Sequence, residues 1–321
     1  SLEAMLVTVK APTAVSGTTQ FEEIYTVPAG VDATSVSERG TLNISPEDFN
    51  PERVQIDEDS GVADIDFPFV DAGTGFGDIT GVVSYSFGNF EVLPTGPFDT
   101  TVPSTLQPET TELVAGGDRL AVASYNVLNL DPGDTTDGRF DAIAVQIVDD
   151  LGTPDVIALQ EVQDNSGPVD DGTIAADVTL QTLVDAITAA GGPEYAFIDN
   201  TFIGNNTSGG QPGGNIRTAY LYNPDRVSRV GDSSTIGTQD PGGAFFGARL
   251  PLVQTFLFRG NEVTLVNNHF SSKGGSAPLF GTEQNSTERQ EDVTVNGSLD
   301  ERQAQAAAVK GFVDGVLADD P

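Results

Sequence analysis

Arg119-Leu120-Ala121-Val122-Ala123-Ser124-Tyr125-Asn126-Val127 is an apolar run that ends on polar residues, and its place at the head of a strand-and-helix succession decides the fold. Between Arg139 and Leu151 the apolar residues Phe140, Ile143, Ala144, Ile147, Val148 and Leu151 recur at helical spacing. Asp155-Val156-Ile157-Ala158-Leu159-Gln160-Glu161 then reads as a second buried strand, and Thr179 to Ala190 as a second helix with Leu180, Leu183, Val184 and Ile187 on one face. Further strands are expected at Thr218 to Tyr222, Leu252 to Phe258 and Val263 to Asn268, with a last helix from about Leu299 to Leu317. Strands alternating with helices predict a layered α/β or α+β domain over residues 118–321.

Toward the N-terminus the pattern changes. Residues 96–117, from Gly96-Pro97-Phe98 to Ala115-Gly116-Gly117, are rich in Thr, Pro and Gly and read as an extended linker. Residues 1–95 read as a β module, barrel- or sandwich-like. Its short apolar or alternating stretches, Met5 to Val9, Val62 to Phe67 and Gly81 to Phe87, are separated by Gly, Pro, Asn and Asp clusters.

Composition limits the function. The chain has 321 residues, 48 acidic against 14 basic, for a formal charge of −34. A field of that sign repels nucleic acid at long range, so a bound anion must meet a cation or a local basic pocket. The acidic balance, with lysine only at positions 10, 273 and 310, suits salty water, where charges are screened over about 8 Å or less. Without cysteine, disulfides and thiolate metal sites are excluded. No run of 18 apolar residues is present to span a membrane. The start, Ser1-Leu2-Glu3-Ala4-Met5, points to a chain that begins inside a longer one.

Asn126 and Glu161 sit where core strands end. A carboxylate there is costly unless it is paired or holds a hard cation such as magnesium, so Glu161 is a candidate metal ligand; equally, a lone Glu can begin a solvated loop. His269, the one histidine, follows the strand ending Val266-Asn267-Asn268, and an imidazole can exchange protons with a phosphate oxygen or serve a purely structural role. Asn268 beside it and Lys273 nearby tilt the balance toward anion binding. Arg217 and Arg249 are further candidates, because arginine contacts phosphate bidentately.

Five stretches carry a family resemblance: Ser-Tyr-Asn-Val-Leu-Asn at 124–129, Leu-Gln-Glu-Val at 159–162, Gly-Asn-Ile-Arg-Thr-Ala-Tyr-Leu-Tyr-Asn-Pro at 214–224, Arg-Leu-Pro-Leu at 249–252 and Val-Asn-Asn-His-Phe-Ser-Ser-Lys-Gly-Gly at 266–275. Together they resemble the endonuclease/exonuclease/phosphatase superfamily, in particular the large secreted nucleases of environmental bacteria. The resemblance implies a DNase-I-like layered β-sandwich flanked by helices, present in part. It implies metal-dependent hydrolysis of phosphodiester bonds in extracellular DNA or RNA, with magnesium, or else manganese or calcium. Asn126 and Glu161 match the positions that hold the metal and its shell. His269 matches the one that contacts the scissile phosphate, and Arg217 one beside the site; Arg249, Asn268 and Lys273 are the expected phosphate-binding groups. The first half resembles the oligonucleotide-binding-type barrel that precedes the catalytic domain in those proteins.

Two motifs of the family are missing from these residues. Its Gly-Asp-Phe-Asn stretch is imitated only by Asp48-Phe49-Asn50, which lies in the β half between Pro46 and Pro51, and its closing Ser-Asp-His is not found. The chain by itself is therefore expected to be inactive. Two other readings remain open: a phosphatase acting on small phosphoesters, and a secreted or cell-surface structural or adhesive protein joined through calcium bridges.

Overall fold

The computed structural model describes residues 2–45, 48–59, 61–87, 89–113, 116–274, 276 and 296–319. Contacts divide the chain into one compact unit that contains the residues up to Gln107 together with Gly274 and Gly297, and another formed by Pro108 to Lys273 and the residues from Ser298 onward.

In the first unit, β1 (Leu6–Val9), β2 (Thr13–Ala14), β3 (Glu23–Val27), β4 (Val54–Asp57), β5 (Gly75–Phe76), β6 (Ile79–Ser86), β7 (Asn89–Pro94) and β8 (Thr100–Val102) form a single sheet in the order β1-β6-β7-β4-β3-β2-β5-β8. Only β4 and β7 run parallel. Side chains alternate across a strand, so Ile24, Ile56 and Val92 enter the core with Phe67, Phe76 and Ile79. Their neighbours Glu23, Gln55, Asp57 and Glu91 share the opposite face, where Glu23 pairs with Asp57 and Gln55 with Glu91. Gly81 is required where β6 meets β7, since a Cβ there would come within 2.4 Å of the Leu93 carbonyl oxygen. Two expectations change. Val62 to Phe67 is not a strand: Phe67 is buried and Ile65 packs on the core without a hydrogen-bonded neighbour strand. Thr100–Val102, inside the stretch read as a linker, pairs with β5.

The second unit is the layered β-sandwich flanked by helices that the sequence predicts. The strands β9 (Val122–Leu130), β10 (Val156–Val162), β11 (Ala196–Asp199) and β12 (Arg217–Tyr222) form one sheet in the order β11-β12-β10-β9, with β9 and β10 parallel. A second sheet is the antiparallel meander β13 (Ser228–Thr235), β14 (Leu252–Phe258) and β15 (Asn261–Asn267). On the outer face of the first sheet, α1 (Arg139–Val145) and α2 (Asp177–Ala189) bury Phe140, Ile143, Leu180, Leu183 and Ile187 against Ile157, Leu159 and Leu221. Between the sheets lie Val156, Tyr220, Leu252, Phe256 and Phe258. The last helix, α3 (Leu299–Asp319), packs Ala308, Val309 and Phe312 near Val253 and Val266 of the second sheet. The expected helix from Arg139 to Leu151 ends early as an α-helix and continues as one wider π turn over Gln146–Asp150. No helix of the described residues is long and apolar enough to cross a membrane.

Candidate active site

The parallel pairing of β9 with β10 sets Asn126 opposite Gln160, and beyond that pair the register breaks on both strands. Glu161 occupies the break in β10 with a φ of 63°, while Leu128 and Asn129 of β9 have φ of 50° and 55°. The left-handed region is costly for a residue with a Cβ, and a bulge re-aims its side chain. Here it leaves the Glu161 carboxylate beside Asn126 instead of in a regular alternation. Asn126 Nδ2 donates to Glu161 Oε1 at 2.9 Å, and its Oδ1 accepts the Leu128 N–H at 2.8 Å, which fixes the amide orientation. The irregular end of β9 is clamped from the helical layer: Arg139 Nη2 donates to the carbonyls of Val127 and Leu128, and its Nη1 to Asp134 at 2.6 Å.

From the other sheet comes His269. Its Nε2 lies 3.4 Å from Glu161 Oε1, and its Nδ1 is buried without a hydrogen-bond partner. Burial, and secondly the positive charge of Arg249, lower its pKa from 6.5 to about 4; the Glu161 carboxylate opposes them. The imidazole is therefore neutral at neutral pH, with one N–H to give. Arg249 is 7% exposed, donates Nη2 to the Phe270 carbonyl at 2.7 Å, and keeps a buried Nε without a partner. Burial lowers its pKa and Glu161 raises it, so guanidinium, carboxylate and imidazole feel one another. Asn268 donates Nδ2 to the Val266 carbonyl and buries an unpartnered Oδ1.

Two predicted residues stand differently. Arg217 opens β12 and is 1% exposed. Its Nη1 bonds both oxygens of Asp199 at 3.2 and 3.3 Å and its Nε the Asn215 carbonyl, so the buried ion pair absorbs most of the guanidinium and only Nη2 lacks a partner. Lys273 lies on the exposed loop beyond His269. The structure thus gathers Asn126, Glu161, His269 and Arg249, with Asn268 adjoining. Among the described residues no group of three or more acidic or imidazole side chains is arranged to hold a metal ion.

Three positioning residues escape the sequence reading. Asn267, 3% exposed, crosses between the sheets: its Nδ2 donates to the carbonyls of Leu159 and Ala219, and its Oδ1 accepts Gln160 Nε2 at 2.8 Å. Gln305 of α3, 1% exposed, clasps Ser271 by accepting its N–H and donating to its Oγ, both at 2.9 Å. The third is Arg139. Only Asn267 has a signal in the sequence, a polar residue closing an apolar strand directly before Asn268 and His269.

Comparison with known proteins adds little to the chemistry. The model of a domain of unknown function, DUF8508, matches residues 1–104, which contain none of the gathered side chains. No curated protein matches the chain. Similar solved structures include a humanized TDP2 of D. rerio (20% identity, TM-score 0.35, covering 61% of this chain and 56% of that one). Others are an endonuclease/exonuclease/phosphatase family protein from Leptotrichia buccalis C-1013-b (17%, 0.34, 50% and 58%) and the human Nocturnin catalytic domain with bound sulfate (15%, 0.36, 61% and 58%). The chain spans little more than half the length of these proteins. Likeness at that level assigns no activity, which must come from this chain's own residues.

Proposed function

We propose that this chain is part of a secreted, metal-dependent phosphodiesterase that cleaves extracellular nucleic acid, with the chemistry centred on Glu161 and His269. The observation that carries the reading is the strained bulge: Glu161 is held at a φ of 63° so that a carboxylate, an amide, an imidazole and a guanidinium share one place at the ends of strands from both sheets. Strain of this kind persists where surrounding structure enforces it, and it concentrates at functional sites.

The residues suit a magnesium-like ion, which takes one or two carboxylate oxygens and completes its shell with water and phosphate. Glu161 would hold it through Oε2, because Oε1 is engaged by Asn126. Bound there, a divalent cation supplies polarisation of a phosphoryl oxygen and stabilisation of the charge that develops on it. Neutral His269 donates one N–H to the phosphate, and Arg249, anchored on the Phe270 carbonyl, contributes a fixed positive charge in a site whose surroundings are acidic. The charge of −34 opposes a polyanionic substrate, and salt-rich extracellular surroundings, which screen charge over about 8 Å or less, reduce that opposition and leave recognition to the local cation, His269 and Arg249.

The test is hydrolysis of single- and double-stranded DNA and RNA by the full-length protein, with and without magnesium. Glu161→Gln is expected to lower the rate about 100-fold or more, and chelation to abolish it. Undiminished cleavage by the folded variant would overturn the assignment.

A further inference from the structure

The first unit holds a second cluster of ionisable side chains. Glu23, Asp57 and Glu91 line a pocket of about 660 Å³ with Ser84 and Ser86, and the rings of Phe21 and Phe87 line it too. Glu91 is 4% exposed, and its Oε2 accepts Ser86 Oγ at 2.8 Å. Glu23 Oε1 accepts Gln55 Nε2 at 3.2 Å; Gln55 is itself 2% exposed, and its buried Oε1 has no partner. Among the described residues no lysine or arginine forms an ion pair with any of the three carboxylates. Arg53, whose charge acts on the same face, is stacked over Tyr25 at 4.1 Å and bonded to Asn89.

Buried carboxylates without a cation are costly, and neighbouring acids relieve the cost by keeping a proton. Asp57 shows this. Burial first, then its hydrogen bond to Glu91 and the charges of Glu91 and Glu23, raise its pKa from 3.8 to about 7. The proton stands where a positive group belongs. A bare metal ion would leave the aromatic part of the lining unused. The walls point elsewhere: Phe21 is 69% exposed, and Phe87, 95% exposed, sits at the end of β6 with a φ of 43°, a conformation unfavourable for a bulky side chain. Large exposed rings beside carboxylates are what a cation with an organic body requires.

We propose that this pocket binds an organic cation of the guanidinium or primary-ammonium class, its charge set among Glu23, Asp57 and Glu91 and its body against Phe21 and Phe87. The site is independent of the phosphodiesterase reading. The protein's overall negative field raises the local concentration of such ligands.

Calorimetric titration of the whole chain with agmatine at pH 8 and constant ionic strength, beside calcium chloride as a control, tests it. Saturable agmatine binding is expected, weakened about tenfold or more by Glu91→Gln and roughly threefold or more by Phe87→Ala. Binding should also weaken at pH 5.5, where Asp57, facing Glu91 of β7, Glu23 of β3 and Gln55 of its own strand, with Glu58 and Asp59 lining the same pocket, holds its proton. Phe87 is exposed, so its truncation leaves the fold intact and keeps the test decisive if Glu91→Gln misfolds. Absence of saturable agmatine binding by the folded chain, indifference to Phe87→Ala, or equal binding of calcium would overturn the proposal.

Discussion

His269 Nε2 and Glu161 Oε1 meet at 3.4 Å although they come from different sheets, Glu161 from β10 and His269 from the residues just beyond β15. Because the imidazole is the only one in these 321 residues, its titration can be followed alone by proton NMR in the metal-free chain. The pKa is expected far below 6.5, at about 4. Arg249→Met should raise it and Glu161→Gln lower it further; a titration at the ordinary value would contradict the burial and charge arrangement.

The same group ties stability to pH. An unfolded histidine binds its proton near 6.5, whereas folded His269 does so only near 4. Between those values the unfolded state holds more protons, so the contribution is complete above about 6.5 and is lost as pH falls through about 4, on the order of 3 kcal/mol at most. Asp57 runs the other way. Its pKa is raised to about 7, so its contribution is complete below 3.8 and is lost as pH rises through about 7. Hydrogen exchange, read peptide by peptide between pH 4 and 7, should show β10 gaining protection and β4 losing it as pH rises, after correction for intrinsic rates.

Glu161 at a φ of 63° predicts an inversion of the usual substitution order. Glu161→Gly should be more stable than Glu161→Ala by about 1 kcal/mol, since glycine enters the left-handed region without steric cost. Urea unfolding of the two variants measures it, and equal stability would mean that the bulge is not strained.

Removing the Asn267 amide leaves the Leu159 and Ala219 carbonyls and Gln160 Nε2 without their buried partner. Asn267→Ala should cost roughly 3 kcal/mol, read as a lower urea midpoint. A loss below a few tenths would show that water replaces the amide.

Arg139→Ala should loosen the end of β9 without disturbing the core, because its guanidinium caps the Val127 and Leu128 carbonyls from outside the apolar cluster. Faster amide exchange confined to residues 126–130, with the β10 core unchanged, is the expected signature.

The apolar runs of β9, β10 and β14 and the helical spacing of Leu180, Leu183, Val184 and Ile187 are legible in the sequence because burial leaves a direct periodic imprint. Glu161 and His269 are legible as polar residues closing such runs. The bulge is not. Leu-Gln-Glu-Val reads as an ordinary strand, and the left-handed backbone at Glu161 comes from pairing with both β9 and β12, which no local pattern encodes. Likewise Arg217 and Arg249 look equivalent in the sequence, and only the position of Asp199, 18 residues before Arg217 on the paired strand β11, separates a neutralised guanidinium from one whose charge acts on Glu161 and His269. In the first half, β2 and β5 have two residues each, too short to carry any alternation.

The broken register at Glu161 has a mechanical consequence. A strand bearing an inserted residue cannot creep along its neighbours one step at a time, because each step would have to push the insertion through a hydrogen-bonded ladder. The offset between the Asn126 amide and the Glu161 carboxylate is thereby pinned against sliding, and heat or denaturant should abolish it all at once with the sheet rather than let it drift.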